Sequence, residues 1–153
     1  MMFEARINEL GLTIPTVPAP LAAYVPAVRT GNFVYTSGQL PFLNGELIAT
    51  GHVHAEVDLD TAVLCARQSA LNALAAVKSI IGSLDEVEQI VKVVGFVASP
   101  HDFYQHPLIV NGASELLGQI FGDAGKHARS AVGVASLPMN APVELEMVVR
   151  LKS

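Results

Sequence analysis

The strongest constraint on this chain is a change of period between residues 58 and 121. From Asp58 to Ile81, apolar residues recur at helical spacing through Val63, Leu64, Leu71, Leu74 and Val77. Asp60 is a candidate cap, Gly82 is a stop, and abundant alanine suits a helix lying close on a sheet. Val87 to Ser99 then reads VEQIVKVVGFVAS, a β-branched run closed by Pro100, which predicts a buried strand. A second helical region opens at His101 or Asp102 and runs to about Phe121, with Pro107 tolerated only in its first turn. Strand signals flank this unit on both sides. Gly31-Asn32 reads as a turn before the strand FVYTSGQLPF, and Asn44-Gly45 is a hairpin signal with ELIATGHV as the return strand. After the glycine-bearing loop FGDAGKH come ARSAVGVASL and VELEMVVRL, joined by the proline turn LPMNAP. The order ββ, helix, strand, helix, ββ predicts an α+β fold, one mixed β-sheet with two helices packed on one face.

The segment ahead of this unit is different. Phe3 to Leu10 has helical composition and stops at Gly11, and the prolines at 15, 18, 20 and 26 then remove backbone donors and predict an extended lead-in. The chain reads as one domain over 1–153 with an N-terminal extension at about 1–20. Only 15% of its residues are charged while 51% are apolar, against about 25% charged in ordinary soluble domains. The sheet face without helices is therefore expected to close against further copies of the chain. Nine basic residues against fourteen acidic ones give a net charge of −5. With no Lys/Arg run, that balance argues against a nucleic-acid partner, which calls for a basic face. The lone Cys65 excludes an internal disulfide and a Cys-rich zinc site. The opening MMFEARINELG has no apolar core of the secretory kind, and no stretch approaches the ~20 residues of a membrane span. The expectation is a cytoplasmic enzyme or binding protein with no membrane partner.

Few side chains offer chemistry. His52 and His54 stand two apart, on one face if the segment is a strand, but no third ligand supports a metal, and none is expected. His101, Asp102 and His106 read better as residues of a helix start than as a base with its orienter. Ser37 lacks a nucleophile elbow, Cys65 lies mid-helix among Ala and Leu, and no phosphate-cradling glycine motif occurs. Arg129 stands out, because a guanidinium at the start of an apolar strand needs an anionic partner. That partner is either a ligand carboxylate or an acidic residue such as Glu144 or Glu146, and the sequence leaves both readings open. Glu144 and Glu146 alternate with Val143, Leu145 and Met147, so both carboxylates share one face of the last strand. At an interface, one of them could orient a water or accept a proton. Tyr24, among prolines, could lay its ring over a small ligand or pack at an interface.

Three stretches carry a family resemblance: Ala23-Tyr24-Val25-Pro26, Tyr35-Thr36-Ser37-Gly38-Gln39-Leu40-Pro41, and Ala128-Arg129-Ser130-Ala131-Val132 through Leu137-Pro138 to Val143-Glu144-Leu145-Glu146. In this order they resemble the reactive-intermediate deaminases, the Rid or YjgF-type proteins also known as endoribonuclease L-PSP. The likeness runs from about Leu21 onward. It implies a chorismate-mutase-like fold, a homotrimer with three clefts between neighbouring subunits, and no cofactor. It also implies that Arg129 holds the carboxylate of a 2-imino acid while a water, oriented by Glu144 or a backbone carbonyl, attacks the imine carbon. Tyr24 would cover the cleft, Ser37 and Gly38 would line it, and Asn111 matches a position near it. The implied activity is hydrolysis of small enamines and imines to 2-keto acids and ammonia. The alternatives are a non-catalytic trimer that binds small carboxylates or keto acids and, against the acidic balance, an endoribonuclease. Three departures mark a divergent branch. Ala131 replaces a cysteine common in deaminating members, FGDAGKHA is longer and richer in glycine than the usual segment, and the N-terminal extension comes with a different hairpin, ELIATGHVHAE.

Overall fold

The computed structural model describes residues 2–17 and 23–153. Pro18 and Pro20 of the expected lead-in lie outside the described residues, as do Leu21 and Ala22. Three helices form: α1 (Phe3–Glu9), α2 (Leu59–Ile81) and α3 (His106–Phe121). The strands are β1 (Ala27–Thr30), β2 (Phe33–Thr36), β3 (Phe42–Leu43), β4 (Glu46–Leu47), β5 (Val87–Ala98), β6 (Ala128–Val134) and β7 (Val143–Leu151). The main sheet has five strands in the order β1-β2-β7-β5-β6, with β5 and β6 parallel and the other neighbours antiparallel. The expected α+β architecture with a mixed sheet is the one observed.

The details correct the sequence reading in several places. The segment from Ala27, read as lead-in, is a full edge strand that turns at Gly31-Asn32 and pairs with β2. Asn44-Gly45 does turn a hairpin, with φ of 54° and 84°, but β3 and β4 are two residues each and form a separate ribbon. The chain then bends away, so His52 and His54 lie in a turn rather than on a strand. β6 and β7 are not a hairpin either. β6 lies parallel on the outer edge of β5, whereas β7 crosses to the gap between β5 and β2. β5 therefore carries a partner on each edge, and its helix-facing side is buried while the other is half-buried, a setting that suits its β-branched composition.

Helix α2 starts two residues earlier than the Asp60 cap implies. Asp58 is the N-cap, its carboxylate accepting from the Thr61 N–H at 2.8 Å, with Asp60 in the first turn. Gly82 ends the helix at φ 83°, a left-handed position that favours glycine. The buried stripe is carried by small residues, Ala62, Cys65, Ala66, Ser69, Ala70, Ala73 and Ala76, together with Leu74 and Val77, while Leu64 faces out. Small side chains bring α2 close to its neighbours: a Cβ at Gly112 of α3 would run into the Val63 backbone. α3 begins at His106 after an uncapped Gln105, later than His101 or Asp102, and Pro107 occupies its first turn as expected. The third helix, α1, is tied down by Glu4, which accepts from the Leu84 N–H at 3.0 Å and pairs with Lys78 at 3.1 Å. Among the described residues no helix is long and apolar enough to cross a membrane.

Helices α2 and α3 cover one face of the sheet. Ile90, Val93, Leu145, Met147 and Val149 are buried there with Leu74, Ile109, Leu116 and Leu117, each large side chain contributing roughly 1.5–3 kcal/mol of burial. On the opposite face Val28, Phe33, Tyr35 and Val132 are exposed, and Val94, Phe96 and Val148 are half-buried.

Candidate functional site

The residues singled out by sequence fall into two groups on opposite faces of the sheet. Arg129 stands in register with Val93, a core-facing residue of β5, so its side chain points to the helices. There its Nη1 donates to Asn111 Oδ1 at 2.8 Å and to Ser114 Oγ at 3.2 Å. These two acceptors are three residues apart on α3 and therefore share one helix face. Asn111 lies in the second turn of α3 rather than at its opening. Among the described residues, no carboxylate lies within 4.0 Å of the Arg129 guanidinium, and no hydrogen bond uses its Nε or Nη2. That edge of the fork has the geometry that takes a carboxylate bidentately.

The network continues through two residues that the sequence reading did not select. Ser114 Oγ lies 2.9 Å from His127 Nε2, and His127 Nδ1 lies 2.6 Å from the Gly125 carbonyl. A carbonyl only accepts, so Nδ1 carries the proton and Nε2 of the neutral ring accepts from the Ser114 hydroxyl. Spacing offered a signal for both: Ser114 is three residues after Asn111 on a helix, and His127 is two before Arg129 at a strand start. Beside Arg129 opens a cleft of about 600 Å³, with Ser114, His127, Lys126 and the bare backbone of Gly118 and Gly122 in its walls. The FGDAGKH loop that forms one side is a short 3₁₀ turn over Gly122–Gly125.

The second group gathers at the start of β7. Glu144 pairs across from Phe96, three residues beyond Val93, and this odd offset turns its side chain to the face without helices. A Cβ on Gly38 would lie 2.7 Å from Glu144 Oε2, so the bare Gly38 backbone lets the Glu144 carboxylate lie against it where a side chain would push it aside. Gln39 holds that approach by exchanging backbone hydrogen bonds with Leu145, at 2.8 and 3.0 Å. Ser37 turns inward, its N–H donating to the Pro26 carbonyl at 2.7 Å and its hydroxyl to that of Val25 at 2.6 Å. This sets Tyr24, 68% exposed, next to the same corner. Burial, and then the neighbouring Glu146 carboxylate, hold the Glu144 pKa above the ordinary carboxylate value.

Tyr24, Ser37, Gly38 and Glu144 are thus brought together, as are Asn111 and Arg129, but one chain does not bring the two groups together. Arg129 and Glu144 are two strand spacings and three residues apart, roughly 14 Å along the sheet, and they point to opposite sides of it. The remaining candidates are accounted for locally. His52 Nε2 meets the Ala135 carbonyl at 2.6 Å, the His54 ring packs 5.9 Å from that of Phe103, and His106 Nε2 bonds Ser99 Oγ at 3.2 Å. Cys65 is sealed in the core, and burial pushes its thiol up to about 11.

A five-stranded mixed sheet backed by two long helices, with Arg129 on its outer strand, makes a small α+β scaffold. Residues 4–151 match the family described as "YjgF/chorismate mutase-like, putative endoribonuclease", and the chain belongs to that family. It is 37% identical to protein TCP17 of Trypanosoma cruzi over 97% of this chain and 94% of that one. It is 34% identical to the 2-iminobutanoate/2-iminopropanoate deaminase of Dermatophagoides farinae, over 90% and 93%. Among solved structures, a protein of unknown function from Agrobacterium tumefaciens superposes with a TM-score of 0.91 at 42% identity, covering 99% of this chain and 94% of that one.

Proposed function

We propose that the protein hydrolyses small 2-imino acids and enamines to 2-keto acids and ammonia, in clefts built between copies of the chain arranged as a homotrimer. The observation that carries this reading is the state of Arg129: one edge fixed by Asn111 and Ser114, the other edge without a protein partner among the described residues. A fork held in this way positions a substrate carboxylate and turns an encounter into an oriented reaction. The second half of the cleft is Tyr24, Ser37, Gly38 and Glu144 from a neighbouring copy, because the sheet separates it from Arg129 within one copy. The exposed apolar face gives that neighbour its seat.

The chemistry follows from the two halves. Water adds its oxygen to the imine carbon, and the C=N π pair moves to nitrogen, which takes a proton. The hydroxyl proton of the resulting carbinolamine passes to its nitrogen through Glu144, and the C–N bond breaks as the C=O bond forms, releasing ammonia. Glu144 takes the proton from water and returns it to nitrogen, a role favoured by a carboxyl whose pKa lies above the ordinary value. These steps need no cofactor, and the partner is a small carboxylate.

The test generates 2-iminopropanoate in situ with an amino-acid oxidase and follows its loss against semicarbazide trapping, with assembly measured on the same samples. Wild type is expected to accelerate hydrolysis, and Arg129→Ala to lose that acceleration while keeping its oligomeric state. Equal rates in the two proteins would overturn the reading.

A further inference from the structure

Arg129 is aimed by more than its direct contacts. Its Nη1 rests on Ser114 Oγ at 3.2 Å, Ser114 rests on His127 Nε2 at 2.9 Å, and His127 is fixed through Nδ1 to the Gly125 carbonyl at 2.6 Å. We propose that Ser114 and His127 are positioning residues of the anion site, coupling the charge of His127 to the hold of Arg129 on a carboxylate. This rests on the carboxylate-binding reading of Arg129 above.

A hydroxyl has one proton and two acceptor sites. With His127 neutral, the Ser114 proton is committed to Nε2, and an Ser114 lone pair receives the Arg129 N–H. When His127 gains a proton, Nε2–H becomes a donor and Ser114 must accept from both sides. Its own proton is then released, and because Ser114, His127 and Arg129 line the same cleft, that proton is free to turn into it. A second positive charge also arrives one hydroxyl away from the guanidinium. An anion on Arg129 therefore gains a donor and a charge, and by reciprocity it favours the protonated histidine. The Gly125 anchor keeps the ring in place in both states, since Nδ1–H donates to that carbonyl in each.

The charged groups on the elements packed against His127 are few. Arg129 is on its own strand, Lys126 and Asp123 are in the preceding turn and pair with each other at 3.2 Å, Glu115 adjoins Ser114 on α3, and Glu88 and Lys92 are on β5.

The experiment measures pyruvate binding calorimetrically from pH 5.5 to 8.5, a range in which the ligand carboxylate stays ionised, for the assembled wild type, His127→Gln, Ser114→Ala and Arg129→Ala. The wild-type Kd is expected to rise about 5- to 10-fold across the range, a coupling typical of linked sites. Any slope from groups other than His127 is common to all of these proteins, so the quantity read is the difference between wild type and variant. In His127→Gln and Ser114→Ala that difference should appear as a slope flattened at least 3-fold with binding retained. If Arg129→Ala abolishes binding while His127→Gln keeps the wild-type slope, the positioning role is overturned and the carboxylate site stands. If Arg129→Ala binds pyruvate like wild type, the carboxylate site itself is wrong.

Discussion

On β7, Leu145, Met147 and Val149 are sealed under α2 and α3, whereas Glu144, Glu146 and Val148 of the same strand stand half-buried on a face that no helix covers among the described residues. The first set is completed within one copy of the chain and accounts for the stability of the fold. The second set has apolar neighbours on β1, β2 and β6, a carboxyl whose pKa is already raised, and Lys92 of β5 on the same face. Arg129, whose fork keeps one edge without a protein partner among the described residues, is on the opposite side of the sheet. One face is thus a finished core, and in the proposed function the other is half of a site.

The sharpest way to break this comparison is to place charge on the open face. Val132→Glu, on an exposed position of β6, should dissociate the assembly and remove imine turnover while circular dichroism reports an intact monomer. An unchanged sedimentation profile would show that this face is not an interface. The next largest effect is expected at the half-site itself. Glu144→Gln should lower kcat by about 10²–10⁴, the usual worth of an acid–base group, with a smaller change in KM. Because Glu144 must be ionised to take a proton and its pKa is held above the ordinary carboxylate value, wild-type kcat should fall on acidification through a range above that of a free glutamate. That acid limb should vanish in the variant.

On the finished face the expected effects are smaller and purely structural. Gly112→Ala pushes a methyl group into the Val63 backbone and should cost about 1–3 kcal/mol by overpacking, seen as a lower Tm in thermal unfolding. The smallest effect concerns Cys65. With its thiol pushed up to about 11 in the folded core, it should resist thiol reagents at neutral pH until the protein is denatured, and rapid labelling of the native protein would contradict the burial.

Much of the architecture was readable because the periods are long: α2, β5 and α3 each bury a continuous stripe or run. Short elements were misread for a physical reason. β1 follows Pro26 and looks like lead-in because the prolines ahead of it mask the first strand of a hairpin that Gly31-Asn32 turns onto β2. The place of β7 between β2 and β5 is likewise a long-range choice that the LPMNAP turn does not announce. At the site, Arg129 and Glu144 were legible from charge set against apolar strands, and the family motif pointed to Gly38, which the backbone explains by its approach to Glu144. Ser114 and His127 were not selected because each looks ordinary in sequence, and only the meeting of α3 with the start of β6 joins them to Arg129.

The central claim, that each cleft takes its arginine and its carboxyl from different copies, is tested most directly by mixing two inactive proteins. Arg129→Ala and Glu144→Gln are unfolded together, refolded as mixed assemblies and assayed for 2-iminopropanoate hydrolysis. Random mixing places an intact Arg129 opposite an intact Glu144 in about a quarter of the clefts of a cyclic trimer, so the mixture should recover about that share of wild-type turnover. A mixture no more active than its two parents would contradict the shared cleft.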